Sequence, residues 1–268
     1  MRWQRESWGK HSPMKFAGIR AFITGGASGL GSAVASRVIV AGGQAVLFDL
    51  NPTHDTAAAA ESAGRAHHIA GDVSDEASVD AAMAFARARL GGIDLAVNCA
   101  GIGTAGRLIG RSGPMGAAFL RRTLEVNLVG TVLCSKAAAL LMQLNAPDAQ
   151  GERGVIVMTA SIAAFDGQIG QVAYAASKGG IVAMTLPMAR ELASSGIRVV
   201  TIAPGIFHTP MLASLPEAAQ ASLGQQVPFP PRLGRPEEYA ALVAHIVENS
   251  MLNGETIRLD GALRMAPR

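Results

Sequence analysis

Seven short apolar runs, rich in β-branched residues, recur along the chain and are separated by alanine-rich stretches of helical length. They read RAFITG (20–25), AVLFDL (45–50), HHIAGDV (67–73), DLAVNCAG (94–101), GVIVMTAS (154–161), IRVVTIAPG (197–205) and ETIRLDG (255–261). A strand with one wet face alternates polar and apolar residues, whereas a strand covered on both faces is apolar almost throughout. Near-continuous strands alternating with helices predict an α/β class, with a doubly wound, seven-stranded parallel sheet and six main crossovers. At 268 residues, 49% of them hydrophobic, the chain is long enough to bury one large core. A single domain over residues 14–268 is expected.

Some stretches stand outside that alternation. Residues 1–13, MRWQRESWGKHSP, are polar, hold both tryptophans and follow neither period. They read as a disordered extension ahead of MKFAGIRAFITGG, and Glu6 counts against a basic targeting peptide. NAPDAQGERG (145–154) is a polar, turn-rich loop. Residues 208–236 are long, proline-studded and partly amphipathic, and they follow a strand's carboxyl end. A mobile flap beside a ligand crevice is expected there. Pro187 interrupts a helical run, removes one backbone bond and predicts a bend.

Charge excludes some partners. Of 23 Lys and Arg and 20 Asp and Glu, Arg2, Arg5, Lys10, Lys15 and Glu6 fall within the first fifteen residues, which leaves the remainder balanced. No basic stripe is left to neutralise a phosphate backbone, so nucleic acid is not an expected partner. Arg37, Lys136 and glycine pairs break the longest apolar runs before the roughly 18–20 residues that span a bilayer, so no membrane partner is expected. Cys99 and Cys134 are expected to be reduced, in a cytoplasmic protein. His67 and His68 lack nearby cysteines or HExxH spacing, so no metal site is expected.

The first strand runs into TGGASGLG, with Gly25, Gly29 and Gly31 spaced GxxxGxG. Between a strand and a helix, such a turn lets a backbone approach a pyrophosphate and aims a helix amino terminus at the anion. The parallel sheet is therefore expected to be Rossmann-like. Ser28 and Leu30 belong to the same turn. Asp49 closes the second strand, where a carboxylate accepts bonds from an adenosine ribose and repels a 2′-phosphate; Leu30 and Leu50 offer no cation in compensation. NAD is therefore the expected cofactor rather than NADP. Asp72 and Val73 close the third strand, placed to flank an adenine.

VAYAASKGG (172–180) sets Tyr174 four residues before Lys178, hence on the same helical face. A phenol titrates near pH ~10, and an adjacent ammonium favours phenolate, giving an acid/base closer to neutrality. Ser161, at the end of the fifth strand, is placed to hold a substrate oxygen. Alone, a tyrosine four places before a lysine is common on helices. Its company decides: the glycine turn, Asn98-Cys99-Ala100-Gly101, Ser161, Tyr174 with Lys178, and Pro204-Gly205 occur in this order.

That order and spacing resemble the short-chain dehydrogenase/reductase family over about residues 16–262. The resemblance implies a Ser–Tyr–Lys–Asn tetrad of Ser161, Tyr174, Lys178 and Asn127, the last positioning a water in a relay from Lys178. It implies that Lys178 also holds the nicotinamide ribose and that Thr209, with Phe207 nearby, meets the cofactor's carboxamide side. Cys99 replaces the family's usual second asparagine and reads as a packing residue near the adenosine side; Cys134 reads as core. GERGVIVMTAS through FHTPML, with PFPPRLGRPEEYA and LNGETIRLDGALRM, is similar to the type-2 3-hydroxyacyl-CoA dehydrogenase subgroup, also described as multifunctional 17β-hydroxysteroid dehydrogenases. This implies NAD, a homotetramer, a small-molecule substrate on an acyl-CoA, and Gln168 near that substrate. Reduction of a 3-oxoacyl carrier protein, and steroid or polyol oxidation, remain alternatives on the same machinery. A non-catalytic dinucleotide-binding scaffold is the alternative of a different kind.

Overall fold

The computed structural model describes residues 14–51, 64–111, 113–213 and 217–267; the expectation for residues 1–13 lies outside them. Seven strands form one sheet: β1 (Arg20–Thr24), β2 (Gln44–Asp49), β3 (Ala66–Ala70), β4 (Leu95–Asn98), β7 (Gly154–Thr159), β8 (Ile197–Pro204) and β9 (Thr256–Leu259). Their order is β3-β2-β1-β4-β7-β8-β9, and every pairing is parallel. This is the doubly wound sheet that the apolar runs predict. An additional two-stranded hairpin, β5 (Ile109–Gly110) and β6 (Gly113–Pro114), has no counterpart in the sequence reading.

Helices cover both faces, and the strands show why. In β7, Ile156 and Met158 point into one core and Val155 and Val157 into the other. The first core is completed by α2 (Glu76–Leu90), α4 (Gly130–Met142) and α5 (Val172–Leu192). The second is completed by α1 (Gly29–Val40) and α8 (Pro236–Glu248). Between them in sequence lie α3 (Ala117–Leu124) and the short helices α6 (Pro210–Ala213) and α7 (Glu217–Gln225). α5 continues through Pro187.

Ala117–Met142 form one helical run of 26 residues, long and apolar enough by length and composition to cross a membrane despite Lys136, and 56% of its most apolar window is buried within the fold. Val126, Cys134, Ala138, Leu141 and Met142 place its inner side in the first core, as in a core helix. Cys134 is buried there as expected, and burial pushes its thiol up to about 12.

One buried ion pair ties the second core together. Arg198 in β8 donates Nε to Glu152 at 2.8 Å, and its remaining nitrogens reach the carbonyls of Ile246, Val247, Asn249 and Leu252 at the end of α8. The guanidinium thus satisfies helix-terminal acceptors that would otherwise be buried without donors. Removing one partner leaves a buried charge uncompensated. Arg198→Ala should therefore lower unfolding stability by about 3–5 kcal/mol, read from the midpoint of urea denaturation at unchanged slope.

Candidate active site

β1 and β4 are neighbours in register, Thr24 beside Asn98, yet the chain leaves them toward opposite faces of the sheet, to α1 in the second core and to α4 in the first. Their carboxyl ends therefore diverge and leave a crevice. The two turns beyond them are packed backbone against backbone: a Cβ on Gly25 (φ +63°) would lie 2.7 Å from the Ala100 nitrogen, and one on Gly31 would collide with the Gly25 carbonyl oxygen. Thr24 seals the junction, its carbonyl accepting from Cys99 N (3.1 Å) and its hydroxyl from Ala100 N (3.1 Å). α1 begins at this point, directly after Ser28.

A cavity of about 740 Å³ opens along this crevice. Its near end takes in the glycine turn from Gly25 to Gly31, Asp49, Asp72 and Val73. Asp49 accepts from the Ala27 amide of the glycine turn at 3.1 Å. Burial raises the Asp72 carboxyl, but hydrogen bonds from Ser74 and the Arg122 ion pair outweigh it and hold the group below its ordinary value. Among the described residues lining the cavity, Lys178 is the one basic side chain.

The far end holds Ser161, Tyr174, Lys178 and Gln168; Pro204, Gly205, Phe207 and Thr209 also line the cavity, Thr209 close to Gly29 of the glycine turn. Ser161 caps a 3₁₀ turn, Ile162–Ala164, by accepting from Ala163 N at 3.1 Å. Tyr174 and Lys178 share one face of α5, with Nζ 5.9 Å from the ring centroid. Nζ donates to the Thr159 carbonyl at 2.8 Å, and burial pulls the ammonium down to about 8. Burial also pushes the Tyr174 phenol up, and the hydrogen bond with Ser161 draws it only part of the way back. Burial thus opposes the ammonium-depressed phenol expected from the spacing. The lysine is turned to a backbone oxygen, and desolvation dominates both groups.

Two expected residues do not line the cavity. Asn98 is buried and donates to Ser135 Oγ at 2.9 Å. Asn127 sits in a π-helical turn, Glu125–Val129, and commits both amide protons, to the Ile102 carbonyl and to Ser177 Oγ, each at 3.0 Å. Its Oδ1 accepts from Ile102 N, so the side chain pins the loop carrying Gly101 over Lys178. Cys99 lines the cavity, its backbone packed against Gly25 of the glycine turn and its thiol within electrostatic reach of Lys178. Its Sγ meets Thr159 Oγ1 (3.6 Å) and Tyr239 Oη (3.8 Å), and those two hydroxyls lie 2.8 Å apart. Burial raises the Cys99 thiol, which fits an inert packing role. Tyr239, the chain's second tyrosine, and Thr159 escaped the sequence reading; a polar ring inside the apolar face of α8 was the available signal.

The family is decided by comparison with known proteins. A sequence model described as short chain dehydrogenase matches residues 20–220. The chain belongs to the short-chain dehydrogenase family. It is therefore an oxidoreductase of a family that works with a nicotinamide dinucleotide on a small-molecule substrate. The chain is 53% identical over 253 residues to 3-hydroxyacyl-CoA dehydrogenase type-2 of Bos taurus, covering 93% of this chain and 97% of that one. It is 49% identical over 249 residues to the Drosophila melanogaster protein of the same name, covering 92% and 98%. The crystal structure of 3-hydroxyacyl-CoA dehydrogenase type-2 from Mycobacterium avium superposes with a TM-score of 0.87 at 41% identity, covering 94% and 98%.

The residues present fit such a dinucleotide, because the close-packed glycine turn leaves backbone amides and the start of α1 open to an anion. Gly31→Ala should raise the dissociation constant for the reduced dinucleotide by more than about tenfold, since its Cβ displaces the turn the anion needs. Fluorescence titration of the folded variant reads the change; native-like binding would contradict this use of the turn.

Proposed function

We propose that the protein transfers hydride between NAD and a secondary alcohol or its ketone, and that the pair is a 3-hydroxyacyl-CoA and a 3-oxoacyl-CoA. The observation that carries this is the convergence of Ser161, Tyr174 and Lys178 at one end of a cavity whose other end holds the glycine turn and Asp49. The substrate class is supported by the names of the relatives, and NAD by the chemistry of the rim. Asp49 disfavours a 2′-phosphate, and the sequence from 50 to 64 contains no Lys or Arg to offset it. With both at low concentration, NADH should outperform NADPH by at least about tenfold in kcat/KM; a clear NADPH preference would instead favour the carrier-protein alternative.

In this reading Gly25, Ser28, Gly29, Leu30 and Gly31 cradle the pyrophosphate, Asp49 holds the adenosine ribose, and Asp72 and Val73 flank the adenine. Thr209 meets the carboxamide. Ser161 fixes the substrate oxygen, with Gln168 beside the substrate. Tyr174 takes the hydroxyl proton in oxidation and returns it in reduction, while Lys178 holds the ribose and favours phenolate. Asn127 acts as a positioning residue for a water in the relay from Lys178, its side chain bonded to Ile102 and Ser177 and its backbone carbonyl accepting from Thr131 Oγ1 at 2.7 Å. The assembly is a homotetramer.

When bound, the oxidised cofactor supplies hydride acceptance at nicotinamide C4 and a positive ring charge. Burial lowers the lysine to about 8 and raises the phenol, so the lysine loses its proton first. Phenolate therefore needs added positive charge to form near neutrality. Oxidation requires phenolate, so its kcat/KM should rise with pH; reduction requires phenol and should fall above the same pKa. The order of titration is testable because Tyr239 is held well above its ordinary value, which leaves Tyr174 as the first phenolate seen in an ultraviolet titration. NAD⁺ should move that first step to lower pH, and an unmoved step would contradict the electrostatic role. Tyr174→Phe should lower turnover by about 10²–10⁴-fold while NADH binding persists.

A further inference from the structure

Two segments that follow different strands add apolar side chains to the cavity lining. Beyond β8 come Ile206, Leu212 and Leu223; beyond β9 comes Met265. All four are apolar and line the cavity, and Ile206 and Met265 pack against the cluster of Ile162, the residue after Ser161. We propose that the carboxyl-terminal segment Gly261–Pro267 is the fixed wall of the acyl channel, with Met265 the residue that sets the longest chain accepted. This rests on the acyl-thioester reading above.

The segment is held on two sides. Toward the loop joining Ser161 to Tyr174, Gln168 Nε2 donates to the Ala266 carbonyl at 2.9 Å and Ile169 N to the Pro267 carbonyl at 3.0 Å. Asp166 accepts from the Met265 amide and pairs with Arg258 at 2.5 Å. Arg258 also reaches Asp260 (2.7 Å) and the Leu263 carbonyl (3.0 Å), and it stacks 5.1 Å from the Phe165 ring. Toward the segment after α7, Phe229 N donates to the Gly261 carbonyl at 3.3 Å. The turn into the tail uses two positive φ values, Gly261 (+58°) and Ala262 (+66°). A Cβ on Gly261 would lie 2.5 Å from Val227, so only glycine lets the tail seat so closely.

Leu263 anchors a small apolar cluster with Ile162 and Val227, and Met265 packs against it from the cavity side. A wall fixed by backbone bonds and an ion-pair network, presenting one unbranched side chain, suits an alkyl chain. It offers the chain no polar group, and an unbranched thioether adapts to the surface laid against it. Chain length would then be read by the space between Met265 and the leucines of α6 and α7.

The test uses the full chain with NAD and a ladder of straight-chain 3-hydroxyacyl-CoA thioesters of increasing length, with calorimetric binding of the matching 3-oxoacyl-CoA as a second readout. Met265→Ala should raise the ratio of kcat/KM for long over short chains by about tenfold, and Met265→Phe should lower it by a similar factor, with affinities moving in the same sense. If both folded variants keep that ratio within about twofold of the parent, the wall is not the length gauge. If the parent neither binds nor oxidises any thioester, the substrate reading falls. The same ratio, taken on secondary alcohols of growing alkyl length, then decides the wall by itself.

Discussion

A parallel sheet delivers every strand's carboxyl end to one edge, and that constraint organises this molecule. The glycine turn follows β1, Asp49 ends β2, Cys99-Ala100-Gly101 follow β4, Ser161 follows β7 and Pro204-Gly205 close β8. None of these residues is near the others in sequence, yet none needs a special loop to reach the cavity. The cost is that both faces must be covered, because parallel strands leave no wet side. The balance of the chain, from α1 and α8 on one face to α2, α4 and α5 on the other, meets that demand. Fold and site therefore follow from the same arrangement.

That arrangement explains what the sequence could show. Buried strands are local, so all seven apolar runs could be located from their own composition, and the edge residues followed by counting. The hairpin Ile109–Pro114 could not, because its two-residue strands are too short for any period. Asn98 and Asn127 were legible as positions but not as contacts. Which way an amide turns depends on Ser135, Ser177 and Ile102, which sit on other elements. The direction of Lys178 failed to show for the same reason. Spacing on α5 places it beside Tyr174, but one of its N–H groups is turned to the Thr159 carbonyl.

Thr159 is where the two cores meet the chemistry. Its carbonyl receives the buried ammonium, and its hydroxyl meets Tyr239 Oη, whose ring is packed among the apolar residues of α8. A fully buried phenol is costly unless it is bonded, and the Thr159 hydroxyl and the Cys99 thiol meet it on the cavity side. The pairing fixes the end of β7 from the face opposite α5. The cavity thus gains a rigid back wall, against which a displaced lysine would lose its one hydrogen-bonded backbone acceptor. Rigid supports of this kind hold a proton donor where substrate binding, rather than side-chain motion, decides the reaction.

The edge beyond β9 differs from the others in one respect. The turns after β1, β4 and β7 hold groups whose chemistry is common to any hydride transfer, while the tail after β9 contributes backbone and an apolar side chain. A scaffold of this kind can keep its reaction and change its substrate only where the wall is separate from the machinery. Here the separation is incomplete, because Asp166, Gln168 and Ile169 lie in the same loop that carries the chain from Ser161 to Tyr174. A substrate pressing on Met265 therefore presses, through those bonds, on the spacing of the serine and the tyrosine. Discrimination by length should then appear in kcat as well as in KM, since a misplacement of about 1 Å at the reacting groups already costs about a hundredfold in rate.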